Sequence, residues 1–195
     1  MLTKKILVIP AVVGVLALGG AGLAAATGTT GAGSTGNAIY NCSATPYPGI
    51  DLAGCGLKNA HVADAHLTGA NLTAAHVDDA HLYGADLTAA SLADAYLVDA
   101  YLADANLNYA YLYNADLAGA NMTSATLGGA NLNDADLGGA NLNGAFLNVA
   151  NLTGANLNDA DLAGADLTGV SWSNTTCPDD TNSDNDGGTC SGHLS

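Results

Sequence analysis

The chain contains no Arg, no Glu and no Gln, and only three Lys among its 195 residues. All eighteen acids are therefore Asp, and the formal net charge is −15. So few cations cannot neutralise a run of phosphates, which excludes a nucleic-acid binder. Aromatic residues are scarce as well, at 5%, although hydrophobic residues reach 49%. Ala and Leu supply most of that apolar mass, and an acidic disordered tail would lack it. Enzyme signatures are also missing: there is no Gly-x-Ser-x-Gly and no phosphate loop. No catalytic residue is assigned, and the reading is of a chain that is not an enzyme.

The first residues read as an address. Lys4 and Lys5 precede an apolar run from Ile6 to Leu18, and a small-residue stretch leads to Ala24-Ala25-Ala26. A basic start, an apolar middle and an Ala-x-Ala end make a secretory signal peptide, here residues 1–26. The run is short for a membrane span, so no membrane is expected to hold the mature form. Cleavage would leave Lys58 as the one cation against eighteen Asp, a formal charge of 1 − 18 = −17. Such a chain is expected to be secreted or extracytoplasmic, and to be repelled by anionic partners. Cys42, Cys55, Cys177 and Cys190 form an even set, read as two disulfides in an exported chain. Three pairings are possible, and sequence proximity favours Cys42–Cys55 and Cys177–Cys190.

From Ile50 to Gly169 the chain divides into 24 units of five residues. Every position divisible by five from Ala60 to Ala165 is Ala, and two residues later stands Leu, with Val62, Val77 and Met122 as exceptions. A helix cannot use this period. At about 100° per residue, five residues advance roughly 140° past a full turn, so no apolar stripe forms. In extended chain, by contrast, the Ala and Leu positions point the same way and the residue between them points out. The Asn, Asp, Gly, Thr and Ser that follow suit a corner.

With those units in register, the chain resembles the pentapeptide-repeat family. The resemblance implies an all-β fold, a right-handed quadrilateral β-helix, with four units per coil. Twenty-four units then make about six coils, or roughly 29 Å at one strand spacing each. Residues 27–49 are read as a flexible leader and N-terminal cap, with Tyr40, Pro46, Tyr47 and Pro48 as lid residues. Residues 50–169 are read as the β-helix and 170–195 as a C-terminal disulfide cap, with Trp172 plugging the core. Caps hide terminal apolar surface and unpaired edges. The C-terminal segment also resembles the tail of exported family members.

Two surface features are candidate sites. In the C-terminal segment, Asp180, Asn182, Asp184 and Asp186 alternate before Gly187, as oxygen ligands do in a calcium loop. His193 stands where that loop needs its bidentate acid; a solvated turn closed by a disulfide is the competing reading. The second feature is a set of outward aromatics, with Tyr96, Tyr101, Tyr111 and Tyr113 as the candidate binding surface. Spacing by twenty also predicts stacked pairs His76–Tyr96 and His81–Tyr101, which would support the sheet instead. No cofactor other than calcium is expected. The functional expectation is an exported structural or protein-interaction solenoid with a protein or cell-surface partner. Relatives of this fold that mimic duplex DNA and act on type II topoisomerases imply an alternative, which export disfavours. Calcium-stabilised surface binding is another. Ice binding would need unbroken Thr ladders, and Asn108, Gly128 and Asn148 interrupt the row from Thr68 and Thr88 to Thr168.

Overall fold

The computed structural model describes residues 42–185 and 187–193. The expected signal peptide, the leader up to residue 41 with Tyr40, and Asp186 lie outside the described residues. Parallel bridges join residues twenty apart in four ladders, which begin at Asp51, Gly56, His61 and His66. They define the four sides of a coil, numbered here one to four in that order. Each side is so short that it contributes one bridging residue per coil rather than an extended strand. A single 3-10 turn, Ser183–Asn185, is the only helical element among the described residues.

Backbone hydrogen bonding explains why five residues suffice. In the unit 120–124, Ala120 N donates to Leu117 O at 3.0 Å and closes the corner. Asn121 N reaches back to Ala100 O (2.9 Å), while Met122 N and Ser124 N reach forward to Asn141 O and Asn143 O (2.7 and 2.9 Å). That leaves the amide of Thr123, which donates to the Asn121 side chain at 3.1 Å. All thirteen units led by Asn or Asp repeat this side-chain bond. The lead residue thus satisfies the one amide that the ladders cannot. The last residue of every one of the 24 units has positive φ, between 53° and 73°. Asn, Asp and Gly tolerate that conformation, and they fill most of these positions.

Inside the coil, the Ala and Leu ladders are buried from Leu52 to Leu162, and Ala165 and Leu167 at the C-terminal end are half-buried. Val62 and Val77 are shorter than Leu, and beside them a narrow apolar cavity runs along the axis under Pro46. Pro46 is thus part of the lid, and Gly49 N continues the ladder to Thr68 O at 2.8 Å. Tyr47 is not, because it is 54% exposed. The cysteines pair as Cys42–Cys55 and Cys177–Cys190. At the other end Trp172 is buried, and its carbonyl accepts the hydroxyls of Thr175 and Ser183. An antiparallel bridge, Thr176 to Asn182, folds the tail back onto the last coil.

Candidate functional site

The four candidate tyrosines do not share a surface. Tyr96 lies on side two between His76 and Asp116, and Tyr101 on side three between His81 and Asn121. Both stack on the histidine of the preceding coil, with centroids 4.5 and 4.6 Å apart and planes within 12°. His61 extends the second stack, 4.5 Å from His81. Stacking along the axis occupies one face of each Tyr ring and leaves mainly the edges outward. These rings support the sheet.

Tyr111 and Tyr113 stand on side one, together with Tyr109 at the corner before it. Residues 109, 111 and 113 are alternate residues of one coil, so all three side chains point outward. They are 66%, 56% and 45% exposed and make no ring–ring contact among the described residues. Their neighbours in adjacent coils are small: Ala89, Ser91 and Ala93 on one flank, Gly129, Asn131 and Asn133 on the other. The Tyr109 ring lies over Gly129, where an added Cβ would come within 2.9 Å of two ring carbons. Gly129 therefore leaves room for that edge of the ring, and the side chain stays largely in solvent.

The register places a larger feature around this row. Beyond the first coil, where Asp51 stands, side one with the corner before it consists of segments 68–73, 88–93, 108–113, 128–133, 148–153 and 168–173. None of them contains a charged residue or a histidine. Of the fourteen Asp within residues 50–169, Asp51 opens side one in the first coil, Asp94 and Asp134 border it at the corner that follows, and the other eleven fall on other parts of the coil. An acidic rod thus has one side that is uncharged beyond its first coil, built of Asn, Thr, Ser, Gly and Ala around three tyrosines. Tyr109 is outward in the sequence pattern as well but is not among the four candidates; what marks it is a bulky residue at a corner where Asn, Asp or Gly is the rule.

That corner holds a second departure. Val149 has φ of 55° and is 61% exposed, and Tyr109 has φ of 59°. Among the described residues they are the only large apolar residues at positive φ, and both lie on the same edge of side one. A β-branched or bulky residue in this conformation is strained, and exposure returns no burial energy.

Two of the calcium candidates make hydrogen bonds within the tail and to the last coil. Asp184 accepts the Asn174 amide at 2.9 Å, and Asn182 accepts the Asp184 amide at 3.0 Å while donating to Asn174 Oδ1 at 3.2 Å. These bonds fasten the tail to the coil. Asp180 has φ of 66° at a turn. Among the described residues, no group of three or more His, Cys, Asp or Glu is placed to hold a metal ion. The ionised residue the tail does organise is Asp179. The Thr181 hydroxyl and then His193, 2.5 Å away, hold its carboxyl down at about 2.

A family model described as pentapeptide repeats matches residues 50–88, 65–102, 95–134 and 130–169. Among solved structures, trypsin-treated QnrB1, a plasmid-mediated fluoroquinolone resistance protein, is similar at 21% identity and a TM-score of 0.61. That match covers 64% of this chain and 63% of the other, and it shows the fold. HetL of the cyanobacterium Nostoc sp. strain PCC 7120, a pentapeptide repeat protein involved in heterocyst differentiation regulation, is 31% identical, with 69% and 70% covered and a TM-score of 0.35. Rfr23 of the cyanobacterium Cyanothece 51142 is 37% identical over 51% and 58%, with a TM-score of 0.36. No curated protein matches.

Proposed function

Because this chain belongs to the pentapeptide-repeat family, we propose that it is an exported, non-catalytic rod that works as an interaction module. The uncharged side with its tyrosine row carries this reading. Exposed aromatics supply large contact area at small entropic cost, and contiguous ones mark interaction surfaces. The repeat spreads polar groups over a convex surface, and the axial cavity is lined by apolar side chains alone. Neither arrangement gathers the convergent groups that catalysis needs.

Two measurements test the reading. A species in the culture medium that begins at Thr27 and gains about four hydrogens on reduction is expected from export with two disulfides; a full-length cytosolic thiol form would overturn export. Retention of purified protein on extracellular material of the producing culture tests the module. Replacing Tyr109, Tyr111 and Tyr113 by Asn should abolish retention, and equal retention of both proteins would overturn it.

The net charge of −15 favours a second reading, mimicry of duplex DNA against a type II topoisomerase. A side without charge is a poor copy of a polyanion. Gyrase supercoiling is therefore expected to continue at saturating protein, and inhibition would bring this second reading to the front.

A further inference from the structure

Resting on the interaction-module reading, we propose that the uncharged side binds a neutral polysaccharide, with Tyr109, Tyr111 and Tyr113 as its platform. A pyranose ring has an apolar C–H face and a rim of hydroxyls. It therefore needs flat apolar seats beside uncharged groups that donate and accept hydrogen bonds. Side one supplies both. The Cδ1–Cε1 edge of the Tyr109 ring rests against Gly129 while the side chain stays two-thirds exposed, and Tyr111 and Tyr113 continue the row between small neighbours. From residue 109 to residue 113 an extended chain covers at most about 13 Å, comparable to a short oligosaccharide. Val149 lies two coils further along the same edge, about 10 Å away at one strand spacing per coil, with exposed Phe146 in the same unit.

Between these apolar groups stand side-chain amides. Asn131 Oδ1 is taken up by the Asn133 amide and by Asn151 Nδ2. Among the described residues, the Asn131 Nδ2 group and the Asn148 side chain have no hydrogen-bond partner and face outward. Hydroxyls can satisfy them. An extended peptide suits this surface less well, because the ladders already use the backbone groups that would pair with it.

Charge decides between ligand classes. Acidic polymers are repelled by a chain of net charge −15, and cationic ones are drawn to the Asp-bearing sides. A neutral ligand is the class for which keeping charge off the tyrosine-bearing coils of one side is an advantage, since no carboxylate is desolvated on contact. The strained Tyr109 and Val149 fit the same account: their conformations weaken the fold, and their exposed side chains give the ligand its apolar contacts.

Sedimentation with insoluble cellulose and chitin, and electrophoresis through gels containing soluble β-glucan or polygalacturonate, test the proposal. The expected result is retention by at least one neutral glycan and none by polygalacturonate. The Tyr109→Asn/Tyr111→Asn/Tyr113→Asn variant should bind about tenfold more weakly or worse, while Asp136→Asn/Asp161→Asn on other sides should bind as the unaltered chain does. Asn suits all three replaced positions, so the melting temperature should not fall. Should it fall, Tyr111→Asn/Tyr113→Asn, which leaves the corner untouched, replaces the triple variant with the same expectation. Absence of retention by every neutral glycan, or unchanged binding of the variant, would overturn the proposal. Culture material separates the two levels. Binding that survives protease and is lost after periodate oxidation of vicinal diols supports the glycan. Tyrosine-dependent binding lost to protease and resistant to periodate overturns the glycan and leaves the interaction module standing.

Discussion

At the lead position of each unit, one methylene decides which residues are admissible. The Asn121 carbonyl sits close enough to its own backbone to accept both the Thr123 amide, at 3.1 Å, and the Thr123 hydroxyl, at 2.8 Å. Gln or Glu would carry that oxygen one carbon too far, which accounts physically for Asn or Asp at the thirteen lead positions that make this bond. Asn121→Ala should therefore destabilise the rod by about 1 kcal/mol, and Asn121→Gln should not restore the loss, as read by chemical denaturation. At the corner the rule is φ rather than reach. Val149→Asn should stabilise by about 1 kcal/mol, because the strained residue is replaced by one that tolerates positive φ. A lower melting temperature for that variant would mean that Val149 contributes packing over Gly169, where an added Cβ would meet its methyl at 3.1 Å.

Each side of the coil is too short to fold alone, and stability comes from the ladders that run across sides. Ala110 and Val77 make the contrast measurable. Ala110 is fully buried in a column of alanines, so Ala110→Leu should overpack the coil and cost about 1–3 kcal/mol or more. Val77 borders the axial cavity, so Val77→Leu adds one methylene where space exists and should gain roughly 0.8 kcal/mol. Opposite shifts of melting temperature are expected. Much of this element was legible in the sequence, since a period of five with strict Ala and Leu leaves few ways to bury both. The stacked His76–Tyr96 pair followed from spacing by twenty. The uncharged side was equally present in the sequence, but only as six separated segments. It becomes visible once the four ladders assign each segment to a side. The roles of Asn182 and Asp184 were not legible, because alternating oxygens look alike whether they meet a cation or fasten a loop to Asn174.

The whole molecule is an acidic rod whose charge is unevenly distributed, and this governs its response to pH. Hydroxyls of Thr88, Thr168 and Thr181 stabilise the carboxylates of Asp86, Asp166 and Asp179 and lower their pKa values. A depressed folded-state value means stability that is present above the unfolded value of 3.8 and lost as pH falls through the folded one, about 2 for Asp179. Unfolding experiments should thus show stability from these groups declining between about pH 4 and 2, with the C-terminal tail loosening in the same window. A melting temperature that rises on acidification through that range would contradict the assignment. Four ladders with a twenty-residue return also restrict how the gene can change length. Deleting Asp116–Ala120 would turn everything downstream by one side and bring Asp134 into line with Tyr109 and Asp136 into line with Tyr111. Deleting twenty residues would shorten the rod by one strand spacing, about 4.8 Å, and leave every side aligned. Insertions and deletions compatible with the uncharged side therefore come in multiples of four repeats.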